Sequence, residues 1–361
     1  MAAVELGPIA GVGILGAGTA FPACTLDNLE VLRAMPQAAR RGSAGPGGGA
    51  PDDEQLRFAA EALREGLGLW KRSWAHLPGT PLDHSAEETT LDLSLRAARA
   101  ALADAGLEPA DVSLLLSCTS TPHRMTSTLS AAVGSGLGAR AACMDTRTGC
   151  SAGLFALTTA ALYVSAGATG EGVALITGAE TFSKVLPPQS RIAQLSLGDG
   201  AAALVIGRKE GAALLSAFLE TDGSLGRLIT TDGALPPTQG ELERGGYLLS
   251  GAPDELLQFV PGKYLAALSA AFARAGVDGA RLDLYVPHQT SASLIAAVCE
   301  QAGIPAARAF VNVAGHANIG SAGWMAALCE ARAAGRCQDG ALVGLAAVGG
   351  GMSWGAAVLR W

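Results

Sequence analysis

An internal repeat narrows the fold of this chain more than any other feature. Displacing the 361 residues against themselves by 170 positions lays ALADAGLEPADVSLLLSCTS (101–120) on AFARAGVDGARLDLYVPHQT (271–290) without a gap. Ala101/Ala271, Ala103/Ala273, Ala105/Ala275, Gly106/Gly276, Ala110/Ala280 and Leu114/Leu284 are identical. Leu107/Val277, Glu108/Asp278 and Leu116/Val286 are conservative. The same displacement pairs Ser151, Ala152 and Gly153 with Ser321, Ala322 and Gly323, and runs on through Gly170/Gly340, Val173/Val343 and Leu175/Leu345. At a slightly different offset, Gly200, Ala201 and Ala202 match Gly355, Ala356 and Ala357. Alanine-rich chains give single matches by chance, but a constant register over so long a stretch argues for two copies of one unit about a pseudo-two-fold axis.

Each copy reads as an Ala-rich helix (93–105 and 264–275), a glycine at its C-terminus and a buried apolar strand (112–117 and 282–287). Helices alternating with short apolar strands predict an α/β fold with a mainly parallel sheet covered on both faces. The length accommodates two units, here 1–208 and 209–361. The Pro/Gly-rich stretch 36–52 interrupts the pattern and reads as a flexible surface insert.

With 49% hydrophobic and 16% charged residues, the chain has ample core and little fully solvated surface, which predicts a homodimer. A net charge of -7 leaves no basic footprint for nucleic acid. Seven cysteines include no C-x-x-C pair, so neither a redox pair nor a metal site is expected. No basic leader and no apolar run of the ~20 residues a bilayer needs are present, which points to the cytoplasm and not to a membrane.

Cys150 stands in DTRTGCSAG, directly before a helical pattern. A thiol at a helix N-terminus is expected to have a lowered pKa. His288, in VPHQTSAS, follows a buried strand; Asn318, in HANIGSAG, precedes the second-half helix, and the 170-residue offset sets Gly320 on Cys150. The repeat therefore puts all three residues at strand ends or helix starts, where sites of such sheets lie. Cys, His and Asn together suit acyl transfer, in which a thiolate attacks a thioester and donors stabilise the oxyanion. The Gly349–Gly351 run is able to present backbone N–H groups to that oxyanion; it also reads as a tight turn. Gly11–Gly16 matches G-x-G-x-x-G but lies inside the apolar run GVGILGAGTAFP with no helix after it, so it reads as a first strand rather than a nucleotide loop.

These motifs, in order, resemble β-ketoacyl-acyl-carrier-protein synthase III and its relatives in the thiolase superfamily: GILGAGTAFP, DTRTGCSAG, LGDGAAALVIG, VPHQ, HANIGSAG and VGGGMSWGAAVLRW. The resemblance implies the five-layered αβαβα thiolase fold. It implies a Cys150–His288–Asn318 triad, an oxyanion hole from the N–H groups of Cys150 and Gly350, and acyl-CoA or acyl-carrier-protein substrates with no resident cofactor. In a condensing enzyme Cys150 takes the acyl group, and His288 and Asn318 hold the malonyl carbonyl during decarboxylation. Met125, in TPHRMTS, falls where relatives place a residue that crosses the dimer interface to close the acyl pocket; plain interface packing explains it equally well. The family's Arg after HQAN is Ser293 here, and its Arg-Thr-Gly-Ile stretch is GLGLWKRSW, where Trp70, Lys71 and Arg72 serve the pantetheine or phosphate end or are ordinary surface. These departures point to specialised metabolism. The alternatives are a relative forming an ester or amide without decarboxylation, a catalytically silent partner subunit, a cysteine protease and a degradative thiolase. The retained nucleophile argues against the silent subunit, the repeat against the protease, and Gly349–Gly351 in place of a second catalytic cysteine against the thiolase.

Overall fold

The computed structural model describes residues 3–35, 51–78, 80–83, 85–187 and 196–361. The 36–52 insert therefore lies outside the described residues, save for Pro51 and Asp52.

The repeat is visible in strand order. In the first half, Ala142–Thr146, Val112–Cys118 and Val173–Glu180 lie parallel, followed antiparallel by the start of Gly200–Thr221 and then by Ile9–Ala20. In the second half, Leu284–Pro287 and Leu342–Gly349 lie parallel, followed antiparallel by Ser353–Arg360 and the end of Gly200–Thr221. Tyr285 carries a parallel bridge to Ala309, where the first half has its outer strand. The 22-residue strand Gly200–Thr221 thus serves both halves. It is buried except around Arg208–Gly211, and the expected boundary at 208/209 falls in that exposed stretch. Gly11–Gly16 lies in the strand Ile9–Ala20.

Helices fill three layers around these sheets. Thr90–Ala105 packs outside the first half and Pro253–Ala275 outside the second. Between the sheets lie Ala152–Ser165 and Gly323–Ala333, whose side chains join strands of both halves in one apolar cluster. Gly153 permits this contact: a Cβ there would stand 2.7 Å from Trp324 Nε1. Leu114, Leu116, Ile176, Leu204 and Leu345 are fully enclosed in that cluster or nearly so, and each such side chain contributes about 2 kcal/mol.

The predicted helix ends are found at Ala105 and Ala275, each followed by a left-handed glycine, Gly106 and Gly276, both at φ 67°. The second helix starts earlier than its sequence pattern, at Pro253, because it runs through Pro261. An interior proline removes one backbone hydrogen bond, and here packing against Ser353–Arg360 and Gly200–Thr221 outweighs that loss. Among the described residues no helix is long and apolar enough to cross a membrane.

Candidate active site

Cys150 is the middle residue of a single 3-10 turn, Gly149–Ser151, which leads into Ala152–Ser165. Its counterpart in the second half is the turn Gly320–Ala322 ahead of Gly323–Ala333. Both turns open on a glycine with positive φ, 57° at Gly149 and 54° at Gly320. This corrects the offset: Gly320 corresponds to Gly149, so the counterpart of Cys150 is Ser321. The two turns pack against each other, and Gly149–Ser151 also packs on Leu342–Gly349. A Cβ on Gly149 would lie 2.4 Å from Gly350 N, and one on Gly349 would lie 2.5 Å from Cys150 N. The backbones of Cys150 and Gly350 are close neighbours only because these positions are glycine.

His288 follows Leu284–Pro287, and its N–H donates to the Ala346 carbonyl at 2.7 Å. Its imidazole is fully buried against Gly323, where a Cβ would come within 2.8 Å of Nδ1. Neither ring nitrogen has a hydrogen-bond partner among the described residues. Burial pulls its pKa down to about 4, so the ring is neutral near pH 7. Asn318 is half-buried and lies two residues ahead of the turn Gly320–Ala322. Its Oδ1 accepts from Gly320 N–H at 2.9 Å, which fixes the amide orientation and leaves Nδ2 as the donor for a ligand.

The expectation of an acidic thiol is overturned. Cys150 is half-buried; desolvation, and then the Glu180 carboxylate, push its pKa up to about 12, against the lowering effect of the local backbone N–H. Near neutral pH Cys150 is therefore a thiol and His288 a neutral imidazole.

Glu180 is a buried acid near Cys150 that sequence reasoning missed. It ends Val173–Glu180 and is fully buried. It accepts from Ser120 N–H at 3.0 Å, from the Thr121 hydroxyl at 2.8 Å and from the Ser321 hydroxyl at 2.8 Å. The available signal was an acid closing an otherwise apolar strand, VALITGAE. Its carboxylate ties the Asn318 turn to the loop leading to Met125.

The remaining predicted residues are spread out. Met125 is 62% exposed on that loop. Trp70 is 59% exposed, with Arg64 over its ring at 5.9 Å, and its backbone N–H donates to Ala314 O at 3.2 Å. Arg72 is neither surface nor open to solvent. It is completely buried in Lys71–Ser73, and burial lowers its pKa to about 10. Trp70 and Lys71 are exposed, whereas Arg72 is not.

Comparison with known proteins places the chain in a family. The sequence profile of 3-oxoacyl-(acyl-carrier-protein) synthase III matches residues 144–223, and that of its C-terminal part matches residues 272–361. The beta-ketoacyl-(acyl-carrier-protein) synthase III of Rhodospirillum rubrum is 37% identical over 317 residues, covering 85% of this chain and 92% of that protein. The chain belongs to the 3-oxoacyl-(acyl-carrier-protein) synthase III family. It is a transferase of the condensing-enzyme type, and its fold is the thiolase fold. Among solved structures, 3-oxoacyl-(acyl-carrier-protein) synthase III from Aquifex aeolicus VF5 superposes with a TM-score of 0.81 at 26% identity, covering 97% of this chain and all of that one (100%). The priming beta-ketosynthase from the R1128 polyketide biosynthetic pathway shares the fold, with a TM-score of 0.80 at 22% identity over 97% of this chain and 96% of its own.

Proposed function

We propose that this enzyme makes a carbon–carbon bond by decarboxylative Claisen condensation in a specialised fatty-acid- or polyketide-type pathway. Cys150 takes an acyl group from an acyl-CoA or acyl-carrier protein. The thiol sulfur attacks the thioester carbonyl, the proton passes to His288, and the N–H groups of Cys150 and Gly350 receive the oxyanion. Collapse of that intermediate, with His288 returning the proton to the departing sulfur, releases the donor thiol and leaves the acyl-enzyme. A malonyl-type thioester then binds with its carbonyl toward His288 and Asn318 Nδ2. Loss of carbon dioxide leaves an enolate that these donors stabilise; its carbon attacks the acyl-enzyme and displaces the Cys150 thiolate, which takes a proton from solvent to restore the thiol.

One observation carries the reading. Asn318 has Oδ1 engaged by Gly320 N–H and so offers its Nδ2 as a donor, while His288, packed on Gly323 of the helix that follows, is a buried neutral imidazole with no hydrogen-bond partner on either nitrogen among the described residues. Such a pair suits an enolate oxygen; ester or amide transfer has less need of the second donor. Trp70 and Lys71 stand at the solvent side for the pantetheine or phosphate end, with Arg72 buried behind them. In a cytoplasmic homodimer the exposed Met125 closes the partner's acyl pocket.

The test is intact-protein mass spectrometry with acetyl-, octanoyl- and lauroyl-CoA and the matching acyl-carrier thioesters, beside Cys150→Ala. A mass gain that needs Cys150, discharged with carbon dioxide on adding malonyl thioester, is expected. Asn318→Ala should acylate yet condense about 100-fold more slowly, the scale for loss of a donor to a developing oxyanion. Full turnover by that variant would sink the condensing reading in favour of simple acyl transfer.

A further inference from the structure

Three of the sequence motifs meet at a side chain that the mechanism does not use. His316 lies two residues before Asn318. Its ring stacks on Phe21, with centroids 4.0 Å apart and planes 7° from parallel, and its Nε2 lies 2.7 Å from Glu330 Oε1. Phe21 packs in turn over Gly200, where a Cβ would stand 2.9 Å from the phenyl ring. The His316 carbonyl presses on Gly198, where a Cβ would be 2.3 Å away. The glycines of LGDGAAALVIG are thus where the first-strand motif and the Asn motif dock.

Ala317, between His316 and Asn318, is buried at φ 57° and ψ -160°. A residue with a Cβ holds such a conformation only when its surroundings impose it. On the far side the constraint is evident: Asn318 N–H donates to Ser196 O at 2.9 Å, and Asn318 O accepts from Gly198 N–H at 3.0 Å. On the near side Ala317 N–H donates to Val313 O at 2.8 Å, and the next fixed group is the His316 ring.

We propose that His316 is a positioning residue for Asn318: gripped by Phe21 and Glu330, it holds Ala317 in its strained conformation and so keeps the Asn318 amide aimed at the substrate carbonyl. This rests on the condensing reading of Asn318. A merely architectural histidine would, when lost, weaken every step together. A positioning one slows the step that uses Asn318 and spares acylation of Cys150.

The experiment measures two rates in His316→Ala: acylation of Cys150 by mass spectrometry with the acyl-CoA that loads it, and carbon dioxide release on adding malonyl-carrier protein. Condensation should fall about 10- to 100-fold, the range for a misplaced reacting group, while acylation stays within about twofold. Ala317→Gly in the same chain should recover most of the loss, because glycine adopts this conformation unaided. Glu330→Ala, at a half-exposed position, should show a smaller fall in condensation alone, and it serves if His316→Ala folds poorly. Unchanged condensation in both variants, equal loss of acylation and condensation, or no recovery with glycine would each overturn the proposal. Asn318→Ala in parallel separates the two ideas: if that variant condenses normally, the functional reading has failed; if it is crippled and His316→Ala is not, only the positioning role has.

Discussion

Two buried titratable groups set opposite pH dependences in this molecule. His288 has its pKa lowered by burial to about 4, against about 6.5 in an unfolded chain. Between those values the unfolded state binds the extra proton, so stability is complete above pH 6.5 and is lost as pH falls toward 4, by up to about 3 kcal/mol. Asp199 works the other way. Burial raises its pKa to about 6, so its contribution is present below about 3.8 and is lost as pH rises through 6. The two oppose each other between pH 4 and 6, and Glu180, whose pKa burial also raises, acts in the same sense as Asp199, which flattens the raw profile. The informative quantity is the difference between the native chain and His288→Asn in urea unfolding. The native chain should lose stability relative to the variant as pH drops from 6.5 to 4, and a constant difference would contradict a buried neutral imidazole. Glu180 gives a second test. Its carboxylate disfavours the Cys150 thiolate, so Glu180→Gln should move the pH profile of Cys150 alkylation by iodoacetamide to lower pH. It should also destabilise the fold by about 1–3 kcal/mol, because an amide cannot accept from every donor now facing the carboxylate. An unmoved alkylation profile would separate Glu180 from the thiol electrostatically.

At the scale of elements, the close contacts decide what was legible in the sequence. The helix ends at Gly106 and Gly276 were readable because a left-handed cap favours glycine. The start of the second-half helix was not, since Pro261 looks like a stop until the sheet beneath it is known. Cys150, His288 and Asn318 were legible as strand-end and helix-start residues. Glu180, Ser321 and His316 were not, because their roles depend on which segments touch, and a one-residue slip in the repeat hides the match of Ser321 with Cys150. Gly153 belongs to this class as well. Its helix and Gly323–Ala333 approach so closely that a methyl group would meet the Trp324 indole at 2.7 Å. Gly153→Ala gains helix propensity but overpacks the central layer, so a net loss of about 1–3 kcal/mol is expected. Thermal unfolding checks the sign: a raised Tm would mean that the central layer has room to spare.

For the whole molecule, a sequence duplicated in two halves invites treating each half as a unit, and the packing argues the contrary. An independent domain carries its own core. Here the central cluster draws Leu154, Ile176 and Leu204 from the first half and Trp324, Val343 and Leu345 from the second. The outer clusters belong mostly to one half each, so each half keeps the outer face of its sheet covered but exposes the inner one when alone. Gly200–Thr221 is also shared, pairing with Val173–Glu180 along its first part and with Ser353–Arg360 along its second. Severing the chain at 208/209 falls in the exposed stretch of that strand, but it parts Val4–Leu6 and the start of Ile9–Ala20 from their partners at 213–219, uncovers the Gly153 face and leaves Cys150 without the Gly349–Gly350 backbone. Residues 1–208 expressed alone should therefore show secondary structure by far-ultraviolet circular dichroism, bind a hydrophobic dye and melt without a cooperative transition. The two pieces expressed together should regain a single transition and Cys150-dependent acylation. A sharp, dye-free melt of 1–208 by itself would show that the repeat still folds as two domains, and that the shared layer serves the active site rather than stability.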